Sequence, residues 1–379
     1  MSTRRDVIHE VPESVGDADV RPSSEHSGLA HGDVPGARNV AVYRSHLALR
    51  WVLLAFVFIA VVVLATALGA PVPLTALWSQ DAAQAEVARR IFLELRPVRL
   101  IAGILVGAAL ATSGAALQSV FRNPLAEPYL LGISAGGALG ATIGAALQDH
   151  LPSVGVFDIS FVLALGGSMV ATAAVYVLGQ RRVSTLSGGY GGFDRAALLL
   201  TGMALSSFLA ALMGLVVAFS NRADVAQQAM FWLLGGLTRA TREQDVLLAV
   251  VLLVGLVALT TSARDLNAMQ VSDEEAMGLG VNVGALHRRL LLAAALMSAA
   301  AVATAGLIGF VGLLAPHLIR QLFGADARAL IPTAAIGGAT LLVGCDAIAR
   351  SAARPVEIPV GIVTALLGVP LFLFLARRS

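Results

Sequence analysis

The polar segment 269–289, MQVSDEEAMGLGVNVGALHRR, is the part of the sequence best suited to bind a partner protein. Its informative residues are Ser272, Asp273, Glu274, Glu275, Gly278 and Gly280. Ser272 and Glu275 have the S-x-x-E spacing of a capping box, and the acidic residues between them lie where the helix dipole stabilises carboxylates. The two glycines favour a helix end. The pattern predicts a rigid helix of about two turns. The segment is either an ordinary solvated loop or a coupling element that a cytosolic partner moves.

A carboxylate inside an apolar run is a second candidate. Asp346 lies in LLVGCDAIAR, and an ionisable group at membrane depth is commonly functional. Arg350 follows one helical turn later, at i+4, where it can pair with Asp346. Two interpretations stay open. The pair is structural and lies near the outer surface, or Asp346 handles protons or substrate, which would suit a proton-coupled secondary transporter.

Residues 132–136, GISAG, match the G-x-S-x-G pattern of a nucleophilic serine. With His317 as the base, Ser134 would make the chain an intramembrane serine protease. That chemistry requires a strand–turn–helix setting, whereas Ser134 lies in an apolar helical run. We therefore treat the protease as a remote alternative.

The composition excludes several other kinds of chemistry. The 26 Lys+Arg residues are all Arg, which excludes Schiff-base catalysis and a Walker A lysine. Any ATP that drives this protein must therefore be hydrolysed by another chain. The single Cys, Cys345, excludes an intrachain disulfide, and the seven His have no paired spacing. We expect no metal site and no cofactor, and a net charge of +2 is too balanced for a nucleic-acid partner.

The elements that position these residues have the composition of membrane spans. Apolar types make up 57% and charged types 13% of the chain, against roughly 25% charged residues in soluble domains. A spanning helix needs about 20 apolar residues, and lipid strongly favours helices. The sequence predicts an all-α polytopic membrane protein with about ten spans, at 50–70, 97–118, 128–147, 158–179, 193–219, 244–262, 288–307, 308–322, 330–350 and 358–376. The shorter segment 226–240 predicts an interfacial helix.

The chain changes character near residue 46. Residues 1–46 are polar and rich in Pro, Gly and Ser, which predicts a disordered cytosolic tail, and residues 47–379 form the membrane domain. More of the arginines near the spans fall on the side of the N-terminus than on the opposite side. This bias predicts a cytoplasmic N-terminus.

Glycines recur at every fourth position of one predicted helix, at Gly132, Gly136, Gly140 and Gly144. Lipid supplies no hydrophobic force between helices, so small residues promote association by letting backbones approach. We expect these four glycines to pack one helix closely against another.

Three long segments resemble the permeases of ABC importers for iron–siderophore, heme and cobalamin. They are RPVRLIAGILVGAALATSGAALQSVFRNPLAEPYLLGISAGGALGA (96–141), GLIGFVGLLAPHLIRQLFGADARALIP (306–332) and VEIPVGIVTALLGVPLFLFLARR (356–378). The likeness runs in order from about residue 50 to the end, so its specificity is high.

The resemblance implies a cobalamin-importer permease-like fold, that of type II ABC importers, in the inner (plasma) membrane. It implies a homodimer, two ATP-binding cassette ATPase subunits and a periplasmic substrate-binding protein as partners. It assigns ATPase coupling to the loop 272–286 and docking of the binding protein to Arg96, Arg99 and Arg350. The chelate itself stays undetermined, and membrane lipid is a further partner.

Overall fold

The computed structural model describes residues 35–68, 74–151, 153–186, 195–354 and 356–376. Within these ranges the chain is helical, with one isolated β-bridge between Val154 and Phe157 and no strand. The helices are α1 (Pro35–Ala67), α2 (Ala82–Arg89), α3 (Arg96–Phe121), α4 (Ile133–Leu147), α5 (Ile159–Leu186), α6 (Arg195–Ser220), α7 (Ala223–Leu234), α8 (Arg242–Thr261), α9 (Ala263–Met269), α10 (Asp273–Gly278), α11 (Val283–Ala305), α12 (Val311–Phe323), α13 (Ala327–Ser351) and α14 (Val360–Ala376).

The chain divides into two units, Met1–His46 and Leu47–Ser379, and the fold described below is that of the second. Residues 1–34, most of the predicted tail, lie outside the described residues, and α1 already begins at Pro35. The disordered tail and its cytosolic location therefore stay predictions.

Every predicted apolar segment overlaps a helix. Among the described residues, 7 helices are long and apolar enough to cross a membrane. The remaining three segments correspond to α4, α12 and α14, which have 15, 13 and 17 residues. The predicted interfacial segment 226–240 contains α7, with 12 residues. The all-α polytopic fold is thus confirmed.

The second predicted span begins earlier than its apolar run. Ala82–Phe121 forms one continuous helix of 40 residues, which Asp81 caps by accepting a hydrogen bond from the Ala83 N–H at 3.0 Å. A π turn at Arg90–Leu95 interrupts the α-helical register. A π turn contains more residues than an α-helical turn, so it rotates the side chains that follow about the helix axis. This turn directly precedes Arg96, the first residue of α3, and so affects the direction of that side chain.

Helix α3 is the centre of the membrane domain. It packs against α11, α12 and α13, and most of its length is buried. A Cβ atom on Gly107 would overlap the Gly338 backbone, and one on Gly114 would overlap the Gly312 backbone. Close backbone approach therefore replaces large side chains at these crossings.

Helices α4 and α5 meet through glycine. A Cβ on Gly136, Gly140 or Gly144 would overlap the backbone of Gly167, Leu163 or Ser160 in α5.

Gly132 differs from the other three glycines of this repeat. It precedes α4 with φ +76°, and the nearest atom to an added Cβ is a Val175 methyl carbon at 3.6 Å, an ordinary contact. The prediction of close packing is therefore wrong for Gly132, because the left-handed turn, not helix contact, requires glycine there.

Candidate functional site

Two groups of charged residues lie at opposite ends of the helical domain, because α3 starts in one group and ends at the other. We call the group formed by Arg96, Arg99, Asp346 and Arg350 the arginine end. We call the group around α10, with Arg122 and Arg195, the α10 end. The sequence predicted a role for each of these ends and, of the contacts within them, only the Ser272–Glu275 cap and the Asp346–Arg350 pair.

The predicted capped helix is present at the α10 end. The Glu275 N–H donates to Ser272 Oγ at 2.9 Å, and the helix spans Asp273–Gly278. Gly280, with φ +84°, ends the segment in the left-handed region. Ala276 lies on the buried face of α10, whereas the side chains of Glu274 and Glu275 are exposed.

The exposed face of this segment also carries apolar side chains. Val271, Met277 and Leu279 are 67%, 55% and 75% exposed. Large apolar groups beside carboxylates on a protruding helix are typical of a surface that another protein covers. The arrangement can transmit force from a bound partner, since α10 is itself fixed to the spans.

Asp273 supplies that fixation. Its Oδ1 atom lies 2.6 Å from Arg122 Nη2 and its Oδ2 atom lies 3.0 Å from Arg195 Nη2. Arg122 also donates to the Met269 carbonyl at 2.6 Å, and Arg195 Nε donates to the Val120 carbonyl at 2.8 Å. One carboxylate therefore links α10 to the end of α3 and the start of α6.

A second connection joins α9 to α13. Asn267 Nδ2 donates to Asp326 Oδ1 at 2.8 Å, and the Ala327 N–H donates to Asn267 Oδ1 at 2.8 Å. The Asn267 hydrogen bond, helped by the Arg328 N–H, lowers the pKa of Asp326 below its usual value. Displacement of α9 and α10 would therefore reach α3, α6 and α13 together.

Sequence reasoning missed these links. The sequence pattern places Asp273 at the helix dipole and in the coupling segment, and it assigns no partner to Arg122 or Arg195. The sequence does contain a signal for these links, namely two arginines without an assigned role. Arg122 lies at the end of one predicted span and Arg195 at the start of another.

At the arginine end, Asp346 lies between two guanidinium groups. Asp346 Oδ1 accepts from Arg99 Nη2 at 2.9 Å, and Oδ2 accepts from Arg350 Nε at 2.9 Å. The Asp346 side chain is 5% exposed. The predicted pairing with Arg350 is confirmed, and both oxygens of the carboxylate are occupied.

Arg350 and Arg96 cap the end of α1. Arg350 donates to the Ala65 carbonyl at 3.1 Å and to the Leu68 carbonyl at 3.3 Å. Arg96 donates to the Thr66 and Leu68 carbonyls, and its guanidinium lies 4.8 Å from the centre of the Phe92 ring. The last carbonyls of a helix lack partners within it, and cations stabilise them.

Of the three predicted docking arginines, Arg96 is partly exposed and the other two are mostly buried. Arg350 is 8% exposed and Arg99 is 17% exposed. Arg99 Nη1 binds Glu357 Oε2 at 2.7 Å, and Glu357 is 46% exposed. Arg350 therefore has a structural role in the interior of the arginine end, while Arg99 binds a carboxylate that solvent can reach.

A cavity of about 360 Å³ opens beside Arg99. Its wall includes Trp232, Arg239, Gln244 and Glu357, together with Phe231 and Ser160. Aromatic faces and two guanidinium groups make it suited to an organic ligand with ionic groups.

The turn between α3 and α4 reaches the break between α11 and α12. Glu127 Oε1 accepts from the Phe310 N–H at 2.7 Å, and Tyr129 Oη accepts from the Ile308 N–H at 3.0 Å. Phe310 has φ +67°, so the bond to Glu127 supports a left-handed residue. Burial raises the pKa of Glu127 to about 7, although the Phe310 N–H opposes the shift.

The proposed protease residues do not form a nucleophile elbow. Ser134 is the second residue of α4 and is 7% exposed, with no strand before it in the described part of the chain. His317 lies within α12, where its Nε2 atom is 3.1 Å from Gln321 Nε2. The arrangement lacks the setting that the chemistry needs.

Comparison with known proteins decides the family. Residues 52–378 match the FecCD transport family. The chain belongs to the FecCD transport family. It is 39% identical to the hemin transport system permease of Yersinia pestis over 289 residues, which cover 76% of this chain and 84% of that protein. It is 41% identical to the cobalamin import system permease of Halobacterium salinarum over 293 residues, which cover 77% and 74%.

A solved structure agrees with this FecCD assignment. An inward-facing metal-chelate type ABC transporter matches with a TM-score of 0.72 and 30% identity, covering 86% of this chain and 98% of that one. The predicted resemblance is thus confirmed.

As a FecCD permease, the chain is a transport subunit of an ABC importer and not an enzyme, since ATP hydrolysis belongs to a separate subunit. Its partners include an ATPase and a substrate-binding protein, and it is a polytopic inner-membrane protein. The alternatives of a proton-coupled transporter and a protease are not supported.

Proposed function

We propose that two copies of this chain form a path that moves a metal ion held in an organic chelate from the periplasm to the cytoplasm. The candidate cargoes are a ferric siderophore, heme and cobalamin. Relatives named for hemin and for cobalamin have almost equal identity to the chain, 39% and 41%. Hemin and cobalamin both consist of a metal ion held by an organic ligand. The comparisons therefore support this class of cargo better than they support any single compound.

The α10 end faces the cytosol in this proposal, and α10 receives the movement of the ATPase. The observation that carries the proposal is the bonding of Asp273 to both Arg122 and Arg195. It makes a protruding helix rigid with two spans, as a coupling element requires. The residues of the coupling surface are Ser272, Asp273, Glu274, Glu275, Gly278 and Gly280.

The same orientation makes the N-terminus cytoplasmic. Arg50 Nη1, in α1, donates to the Leu322 carbonyl at 2.7 Å. Leu322 is near the end of α12, next to the Asp326 cap that binds Asn267. The start of the first span therefore lies at the α10 end.

The arginine end faces the periplasm and receives carboxylates of the binding protein. Arg96 and Arg99 make the contacts, because a guanidinium binds a carboxylate through two donors. Arg350 acts mainly by positioning Asp346 and the end of α1.

Transport then follows from alternating access without chemistry in this chain. Binding of ATP closes the partner ATPases, α9 and α10 move, and the attached spans change which side of the path is open. A partner shifts such an equilibrium only by its different affinity for the two states.

The test is uptake into proteoliposomes that contain this chain with its partner ATPase and its binding protein. Radiolabelled ferric siderophore, heme or cobalamin is supplied outside and ATP inside. Uptake of one of them should continue when an uncoupler collapses the proton gradient and should stop when the Walker A lysine of the ATPase is replaced. Uptake that fails with the uncoupler, or that needs no ATP, would disprove the proposal.

A further inference from the structure

A groove on the surface of the helical domain lies mainly between α5 and α11, with Leu131 and Leu198 also in its wall. Its volume is about 180 Å³. Residues from α11 line one wall at helical spacing, namely Arg288, Leu291, Leu292 and Ala295. Residues from α5 line the other wall, where Met169, Thr172, Ala173, Tyr176 and Val177 have the same spacing and Val175 lies beside them. Positions i, i+3, i+4 and i+7 share one helix face, so each wall is a continuous stripe.

Among the described residues of this lining, Arg288 is the only charged one. It is exposed, and its guanidinium makes no hydrogen bond or ion pair with any of the described residues. The next residue, Arg289, has a different environment, because its Nη1 atom donates to Ser262 Oγ at 3.2 Å. The groove therefore presents an available cation beside an apolar surface.

The cation lies at one end of the groove. Helix α11 begins at Val283, close to α10, so Arg288 is in its second turn, near the surface. Leu292 is 64% exposed, and Ala295, deeper along the helix, is 1% exposed. From Arg288 to Ala295 the helix rises about 10 Å, a large part of one leaflet of a hydrocarbon core about 30 Å thick.

We propose that this groove binds an anionic phospholipid, with the phosphate on Arg288 and an acyl chain along the α5 and α11 stripes. Basic residues at the ends of grooves between spans favour acidic headgroups. A guanidinium donates two parallel hydrogen bonds to a phosphate. In a zwitterionic headgroup the ammonium offsets part of the phosphate charge, so the attraction to the guanidinium is weaker. The acyl chain covers apolar walls that no other element of the described chain fills.

The experiment measures lipid binding to the purified full-length protein by native mass spectrometry. Delipidated protein is titrated with dioleoyl phosphatidylglycerol or dioleoyl phosphatidylcholine. The wild type should bind one phosphatidylglycerol at least about threefold more tightly than phosphatidylcholine, and Arg288→Gln should abolish that preference. Arg264→Gln removes an exposed arginine of α9 at the same end, outside the groove, and should preserve the preference.

A second variant tests the acyl-chain contact. Ala173 is exposed in the groove wall, so Ala173→Phe should fold and fill the space. It should weaken binding of both lipids while Arg288 is still present. Equal affinity of the wild type for the two lipids would overturn the proposal, as would equal losses in the Arg288 and Arg264 variants. Efficient disulfide formation between two copies of Ala173→Cys in nanodiscs would also overturn it, because a second copy of the chain would then cover the groove.

Discussion

Arg122 and Asp273 are 151 residues apart in the sequence and lie 2.6 Å apart in the structure, at Nη2 and Oδ1. Arg122 ends α3 in a left-handed conformation, with φ +46°, and Asp273 begins α10. The most buried of the candidate spans and a short, largely exposed helix are thus joined by one ion pair. This connection makes α10 the part of the surface from which movement would reach the core.

Asp273→Asn should uncouple transport from ATP hydrolysis. The amide cannot form the ion pairs with Arg122 and Arg195, so α10 would move independently of α3 and α6. The free energy of unfolding should fall by only about 1 kcal/mol, because the pairs are partly solvated. Reconstituted complexes should therefore assemble, while substrate uptake per ATP hydrolysed falls several-fold. Glu243→Gln, which removes an exposed charge at the start of α8 and outside the coupling surface, is the control, and an equal loss there would contradict the assignment.

Arg96→Glu should weaken docking of the binding protein and reduce its dependence on salt. Removal of a cation that faces partner carboxylates lowers the electrostatic part of the affinity, which ions screen. Surface plasmon resonance at several salt concentrations measures both effects. Arg264→Glu reverses a charge at the opposite end and should have little effect. Docking that ignores the Arg96 change would remove this residue from the interface.

Glu357→Gln should strengthen the same docking. Glu357 binds Arg99 Nη1 at 2.7 Å and so competes with any partner carboxylate. An exposed pair contributes up to about 1 kcal/mol, which corresponds to a gain of up to about fivefold in affinity. The gain should vanish in the background of Arg99→Gln. A gain that persists there would mean that Glu357 acts without Arg99.

Asp346→Asn should destabilise the protein more than any other single change at the arginine end. It leaves Arg99 and Arg350, which are mostly buried, without their shared carboxylate. Loss of one partner from a buried ion pair costs about 3 kcal/mol or more. Thermal unfolding in detergent should show a large drop in Tm, against a small one for Glu357→Gln, and equal drops would argue against a buried pair.

The pH dependence of stability should carry a contribution from Glu127. Burial raises its pKa from 4.5 to about 7. The folded protein then keeps a proton that the unfolded chain releases between these values, so the free energy of unfolding falls as pH rises across this window and levels off above it. Glu127→Gln keeps an acceptor for the Phe310 N–H and should remove this part of the slope, raising Tm at pH 8 relative to the wild type. Parallel Tm profiles for the two proteins would show that Glu127 is not the titrating group.

Much of the site and of the fold could be predicted from local sequence. The apolar runs gave the helices, and the Ser272 and Glu275 spacing gave the start of α10. Gly136, Gly140 and Gly144 were expected at a helix crossing, and α5 approaches α4 at all three positions. Each of these inferences depends on residues within one or two turns of each other.

Other features depended on the arrangement of distant helices. The contacts of Asp273 with Arg195, of Asp346 with Arg99 and of Glu127 with Phe310 join residues 78, 247 and 183 positions apart. No local pattern specifies such pairs, and Gly132 was misinterpreted because its φ depends on the turn that precedes α4.

Hydropathy and residue type are enough to predict a set of membrane helices without a catalytic lysine or a disulfide, because neither property depends on which helices pack together. The Asp346–Arg350 pair could also be predicted, because its residues are one helical turn apart. The ion pairs between different helices, and the access of each arginine, follow from helix packing, because an ion pair forms only when two groups come within a few ångströms of each other.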